Sequence, residues 1–189
     1  MKNIAISINS LGKGGAEKQS LLLADTLSKK HKVTLIVFDS SSQELISINN
    51  FFQKNFKIVF LHGNILSKAL LFHKILKKNQ FDILFSYLAL TNLFTAVIGK
   101  INNVKFCIGG IRSVRFRLDK LILQRLLHNY LLDYSIINNF SGVSYFIQKR
   151  FRKDKIISIP NGIDFNQRPP IRVDREPIKI LTVARFVEP

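Results

Sequence analysis

Short runs rich in isoleucine, valine and phenylalanine alternate along this chain with longer stretches whose apolar residues recur at helical spacing. That alternation constrains the fold more than any other feature. Strand-like runs cover Asn3–Asn9, Val33–Phe38, Lys57–Leu61, Ile83–Ser86, Lys105–Ile108, Tyr134–Ile137 and Ile156–Ile159. Several lack a polar alternation, as expected of central strands covered on both faces. Helical periodicity predicts Gly15–Lys30, Ile65–Lys78, Leu90–Ile101, Phe116–Leu132 and Val143–Phe151 between them. Strand and helix in strict succession read as parallel strands joined by right-handed crossovers, so the expected fold is a Rossmann-like α/β domain with helices on both faces of the sheet.

The texture changes after Ile159. PNGIDFNQRPPIRVDREP holds four of the five prolines and no helical period, which reads as a linker. A further strand, Ile178–Ala184, follows and the chain stops, as though a second α/β unit were beginning. The expected division is therefore a domain over 1–160, a linker over 161–177 and the first strand of a truncated second domain over 178–189.

At 189 residues and 47% hydrophobic content the chain can bury a proper core, which excludes disorder. The single cysteine, Cys107, permits no internal disulfide and fits a reducing compartment. The start, MKNIAISINS, has too short an apolar stretch for a signal peptide. The uncharged run Ile83–Gly99 is interrupted by Ser86, Tyr87, Thr91, Asn92 and Thr95 and falls short of a membrane span. Net charge is +17, which points to an anionic partner.

The first strand runs into NSLGKGGAEKQS, at the place where an α/β sheet most often binds a ligand. Gly12, Gly14 and Gly15 permit close backbone approach, and the amides opening the following helix favour an anion. A dinucleotide fingerprint fails because position 17 is Glu, whose carboxylate repels a pyrophosphate. A P-loop fails because no Gly-Lys-Ser/Thr follows. On chemistry alone, a tight turn with Glu17 complementing the helix dipole stands level with a ligand site.

The order of SLGKGGAEKQ, PNGID and VARF resembles family 4 of the retaining glycosyltransferases, over essentially the whole chain. The likeness is to the amino-terminal, acceptor-binding half of a GT-B enzyme, in which two Rossmann-like domains face each other across a cleft. The resemblance implies that Gly14 and Gly15 make room for donor phosphates and acceptor, with Glu17 and Gln19 holding the turn or contacting hydroxyls. It places Asn161 and Gly162 at the domain interface, with Asp164 bonding neighbouring backbone, and gives Arg185 the departing diphosphate to neutralise. The lysine expected after that arginine and the E-x7-E donor segment are absent from this sequence, so the chain alone is expected to be incomplete, either a truncated protein or one that needs a separate donor-binding polypeptide. On the acceptor side, Ser86, Tyr87 and Asn92 follow one strand, and Gly109, Gly110 and Arg112 follow another. Arg112 is the best candidate for an acceptor phosphate, set against one more basic surface residue. His31, His62, His73 and His128 do not stand at those two strand ends, no metal cluster can be assembled from their spacing, and no general base is visible. The family manages without a clear protein nucleophile, a donor phosphate oxygen taking the acceptor proton. No cofactor is expected; the nucleotide-sugar is a substrate.

The stretch RSVRFRLDKLILQRLLHNYLL and the group Lys149, Arg150, Arg152, Lys153 and Lys155 combine basic with apolar residues. Such faces suit an anionic membrane surface. For the stripe Val114, Leu118, Leu121, Ile122 and Arg125, core packing is the first reading. Nucleic acid is the rival for the charge, but no recognised module is present and the Phe residues lie in apolar runs.

The sequence thus points to the acceptor half of a retaining, nucleotide-sugar-dependent hexosyltransferase. Its expected place is bacterial surface-polysaccharide assembly, lipopolysaccharide or capsule, on the inner face of the cytoplasmic membrane. Its acceptor would be lipid-linked or a saccharide. The competing class is a non-catalytic Rossmann-like module that binds membranes or polyanions.

Overall fold

A computed structural model describes residues 1–12, 14–39, 55–113 and 116–162. The expected linker beyond Gly162, Asp164, the strand Ile178–Ala184 and Arg185 lie outside these residues.

Seven parallel strands form one sheet: β1 (Asn3–Ile8), β2 (Lys32–Val37), β3 (Lys57–Phe60), β4 (Ile83–Tyr87), β5 (Phe106–Ile111), β6 (Tyr134–Ile137) and β7 (Ile156–Ser158). Their spatial order is β3-β2-β1-β4-β5-β6-β7. The helices between them are α1 (Gly15–Ser28), α2 (Ile65–Asn79), α3 (Ala89–Ile101), α4 (Leu118–Leu126) and α5 (Phe140–Gln148). The Rossmann-like reading of the sequence is the fold observed.

Residues alternate between the two sheet faces, and two cores follow. On one face Ala5, Ile36, Leu84 and Cys107 pack under Phe72 and Leu76 of α2 and Phe94 and Ala96 of α3. Rings of Phe38, Phe72 and Phe94 meet there, with centroids 4.7 to 6.2 Å apart. A continuation under α4 and α5 joins Ile111, Ile137, Leu121 and Phe146. On the opposite face Ile4, Ile6, Ile8, Val33, Leu35 and Val37 pack under Leu21 and Ala24 of α1. Among the described residues α1 is the only helix seen on that second face. Its β5–β7 portion leaves Phe106, Tyr134, Ile157 and Ile159 exposed.

Most element boundaries shift by a residue or two from the sequence reading, and three of the differences have a clear physical cause. β5 runs on through Gly109 and Gly110, because the ladder pairs Ser86 with Gly109 and Tyr87 with Gly110 and overrides the weak strand preference of glycine. The last helix begins at Phe140 rather than Val143, because the Asn139 side chain accepts from the Gly142 amide and caps an earlier start. The long helix expected over Phe116–Leu132 is α4 followed by one π turn, Leu127–Leu131. Its core side is Leu121, Gln124, Leu127 and His128, whereas Leu118 and Ile122 of the expected stripe are exposed. No helix among the described residues is long and apolar enough to cross a membrane.

Candidate functional site at the carboxyl edge of the sheet

The chain leaves β1 toward β2 on one side and leaves β4 toward β5 on the other. Such a switch opens a crevice at the carboxyl edge, between β1 and β4. The turn after β1, the junctions after β4 and β5, and the exit from β7 all end at this edge.

Gly14 is the N-cap of α1, extended at φ −78°, and offers no side-chain cap. A Cβ there would lie 2.1 Å from Oε2 of Glu17, so any larger residue would make that flexible carboxylate swing aside. The carboxylate of Glu17, in the first helical turn, thus folds back over Gly14 at the positive end of the helix dipole. Gly12 and Gly15 differ, because a Cβ on either would meet nothing within 4 Å. Neither glycine is imposed by its neighbours, and both border open space.

One turn further along α1, Gln19 reaches the exit from β7. Its Nε2 donates to the Gly162 carbonyl at 2.7 Å, and the Gly162 amide donates to its Oε1 at 2.9 Å. Close approach makes glycine useful at 162, where a Cβ would lie 3.2 Å from Leu22. The adjacent Asn161 accepts a hydrogen bond through Oδ1 from Nη1 of Arg112, which stands just past β5. The Arg112 guanidinium also lies over the Tyr87 ring, 4.6 Å from its centroid. Burial raises the pKa of Tyr87, while the charge of Arg112 and its hydrogen bond pull the other way. A small cavity of about 30 Å³ beneath them is lined by Leu23, Phe85, Ile108 and Gly110.

Leu88, between β4 and α3, holds φ at +76°, a conformation a leucine rarely adopts. Thr91 secures it by donating to the carbonyls of Tyr87 and Leu88. Asn92 lies one residue further on but is buried behind the sheet. Its Oδ1 accepts from Ser86 Oγ at 2.7 Å, while Nδ2 donates to the Gly110 carbonyl at 3.1 Å and to Gln124 Oε1 at 2.8 Å. Asn92 therefore bolts α3 to β4, β5 and α4, and any influence on a ligand passes through those elements. Gly109 and Gly110 serve the same packing, since Cβ atoms there would meet Leu132 and the Ser86 carbonyl at 2.7 Å.

Tyr87, Arg112, Asn161, Gly162 and Gln19 thus form one connected set, and Gly14 and Glu17 open the helix that carries Gln19. Sequence reasoning passed over Leu88 and Thr91. A strained leucine has no local signature, although Thr91 at the start of a helix is a visible cue. His62 stands in the turn after β3, at the carboxyl edge but two strands from β1. His73 bonds Asn102 and His128 is buried. Among the described residues no group of three or more His, Cys, Asp or Glu can hold a metal ion. A larger hollow of about 530 Å³ opens at the opposite, amino edge, where α2 and α3 end.

Several solved structures share this architecture. The Anabaena protein HepE, in complex with UDP and glucose, superposes with a TM-score of 0.72 at 15% identity, over 88% of this chain and 46% of HepE. The lipopolysaccharide outer core galactosyltransferase WaaB superposes with 0.64 at 14%, over 90% of this chain and 49% of its own. The fold is one half of a GT-B architecture. UDP-N-acetylglucosamine 2-epimerase from Rickettsia bellii shares it too, with 0.60 at 13%, over 85% of this chain and 45% of the epimerase. The chain thus spans about half the length of each of these structures. No family model matches it, and no curated protein does.

Proposed function

We propose that this chain is the amino-terminal, acceptor-binding half of a retaining glycosyltransferase of family 4. Sugar passes from a nucleotide-sugar to a lipid-linked or saccharide acceptor in the assembly of bacterial surface polysaccharide, at the inner face of the cytoplasmic membrane. The observation that carries this reading is the reciprocal pair between Gln19 and Gly162. It joins two motifs 143 residues apart at the edge where a Rossmann-like sheet binds ligands.

Each residue then has a task. The open space at Gly12 and Gly15 admits donor phosphate or acceptor, and the first-turn amides of α1 meet its negative charge. Glu17 holds the turn against Gly14. Arg112, backed by Tyr87, meets an acceptor phosphate with a fork of donors. Asn161 and Gly162 fix where the connector to the donor half leaves the domain, and Asn92 sets the position of the β4 and β5 ends. Arg185 is assigned to the departing diphosphate, one of whose oxygens takes the acceptor proton. The donor site belongs mainly to the other half of the enzyme, on the same or a separate polypeptide.

The test is transfer from a panel of labelled nucleotide-sugars to lipid-linked and saccharide acceptors, with the chain alone and with a donor-half polypeptide. Transfer with retained anomeric configuration is expected in the combined reaction. An epimerised sugar released without transfer would favour the activity named for the epimerase. Binding to anionic vesicles with no turnover of any donor would favour the non-catalytic module.

A further inference from the structure

Helices α2 and α3 end at the amino edge of the sheet, and the hollow of about 530 Å³ lies between their last turns and the starts of β4 and β5. That volume is in the range of small-molecule sites. A strand's length, roughly 15–20 Å, separates it from the carboxyl-edge crevice.

A hydrogen-bond relay fixes one donor there. Nδ2 of Asn102 bonds the Ile98 carbonyl at 2.7 Å and Nδ1 of His73 at 2.9 Å. A carbonyl only accepts, so the Asn102 atom facing it is the amide nitrogen, which donates to both partners. Nδ1 of His73 is therefore the accepting nitrogen, and the neutral ring carries its proton on Nε2. Lys77 follows His73 by one turn on the same face of α2, and Lys105 lines the hollow from the foot of β5. Among the described residues no carboxylate pairs with either lysine. Asp82 is the one acid in the lining, and its Oδ2 accepts from the Asn3 amide at 2.8 Å.

Lysines in a last helical turn often serve only to balance the helix dipole. Here backbone amides close both helix ends, from Gln80 to the Leu76 carbonyl, from Asn102 to Ile98 and from Val104 to Gly99. Lys105 belongs to no helix, so its charge answers no dipole of its own element. Two ammonium groups and an oriented imidazole N–H, supplied by two elements, match the several oxygens of a phosphate group. Phosphate alone fills only part of the volume. The amide side chains of Gln80 and Asn103 line the remainder with Ile101, a mixture suited to hydroxyls and a ring.

We propose that this hollow binds a phosphate monoester of sugar or nucleoside size, with His73, Lys77 and Lys105 on the phosphate. It is a second site, and it rests on no part of the proposed transfer reaction.

The experiment is amide chemical-shift mapping of the isotope-labelled chain, titrated with glucose-6-phosphate, adenosine monophosphate, inorganic phosphate and glucose. Both esters are expected to shift the amides around His73, Asn102 and Lys105. Inorganic phosphate should bind there several-fold more weakly, and glucose not at all. Lys77→Gln/Lys105→Gln is expected to lose roughly tenfold or more in affinity for the esters. Lys29→Gln/Lys30→Gln removes the same charge from the exposed end of α1 and is expected to bind as wild type. All four lysines are exposed, and circular dichroism confirms that each variant folds. No shift with either ester, shifts confined to Gly15 and Gly162, or equal affinity for inorganic phosphate or glucose would overturn the proposal. So would a Lys77/Lys105 variant that binds like wild type, or an equal loss in the Lys29/Lys30 variant. No nucleotide-sugar or donor half takes part, so this outcome and that of the transfer assay are read separately.

Discussion

Glycines that look alike in the sequence do different work in the fold. Gly15 borders open space, so Gly15→Ala is expected to leave stability unchanged or raise it by about 0.5 kcal/mol through helix propensity. Gly110→Ala pushes a methyl against the Ser86 carbonyl within the ladder and is expected to cost about 1–3 kcal/mol. Urea denaturation of the two variants measures the contrast, and activity lost by Gly15→Ala at full stability would locate ligand at that residue. Asn92→Ala removes a side chain whose three hydrogen bonds hold Ser86, Gly110 and Gln124 in the interior. Leaving those groups unpaired is expected to cost about 2–4 kcal/mol in the same measurement. The sequence singled out the motif glycines, Arg112 and Asn161, and the fold brings them to the same edge of the sheet. The burial of Asn92 was not legible there, because nothing local says that the following helix turns it behind the sheet.

At the scale of elements, the strands were legible from their apolar runs, and the helices less so at their ends. A side-chain cap moved the start of α5, and polar core contacts turned α4 away from the face its leucines suggest. Gln124 and His128 draw that helix inward, through Asn92 in one case and Ser135 in the other. His128 bonds Ser135 Oγ at 2.8 Å and the Arg152 carbonyl at 3.0 Å. Burial lowers its pKa, with the bond to the Arg152 carbonyl opposing the shift. The folded state therefore keeps the ring neutral at a pH where the unfolded chain takes up a proton. Stability is unaffected above the ordinary histidine range, near pH 6.5, and falls below it until the folded ring protonates, with a slope of at most about 1.4 kcal/mol per pH unit. Urea midpoints from pH 7.5 down to about 5 should show this loss, and His128→Gln should flatten that part of the profile. Cys107 supplies no competing switch near neutrality, since burial pushes its thiol up to about 12.

For the whole molecule, strands apolar on both faces call for cover on both. The face under α2 to α5 has it, whereas β5–β7 leave Phe106, Tyr134, Ile157 and Ile159 exposed on the other. The chain by itself is therefore expected to bind an apolar fluorescent dye in its folded state, and Phe106→Ser/Ile157→Thr to reduce that signal without lowering the urea midpoint. The likeness to half of each matched structure fits this unequal cover. In the proposed enzyme Arg112, held by Tyr87 and Asn161, meets the acceptor at the carboxyl edge. Steady-state kinetics of Arg112→Ala, with chain and donor half combined, measure that role. An acceptor KM raised roughly tenfold or more is expected, with slow hydrolysis of the nucleotide-sugar unchanged; an acceptor KM equal to that of the wild type would remove Arg112 from the acceptor site.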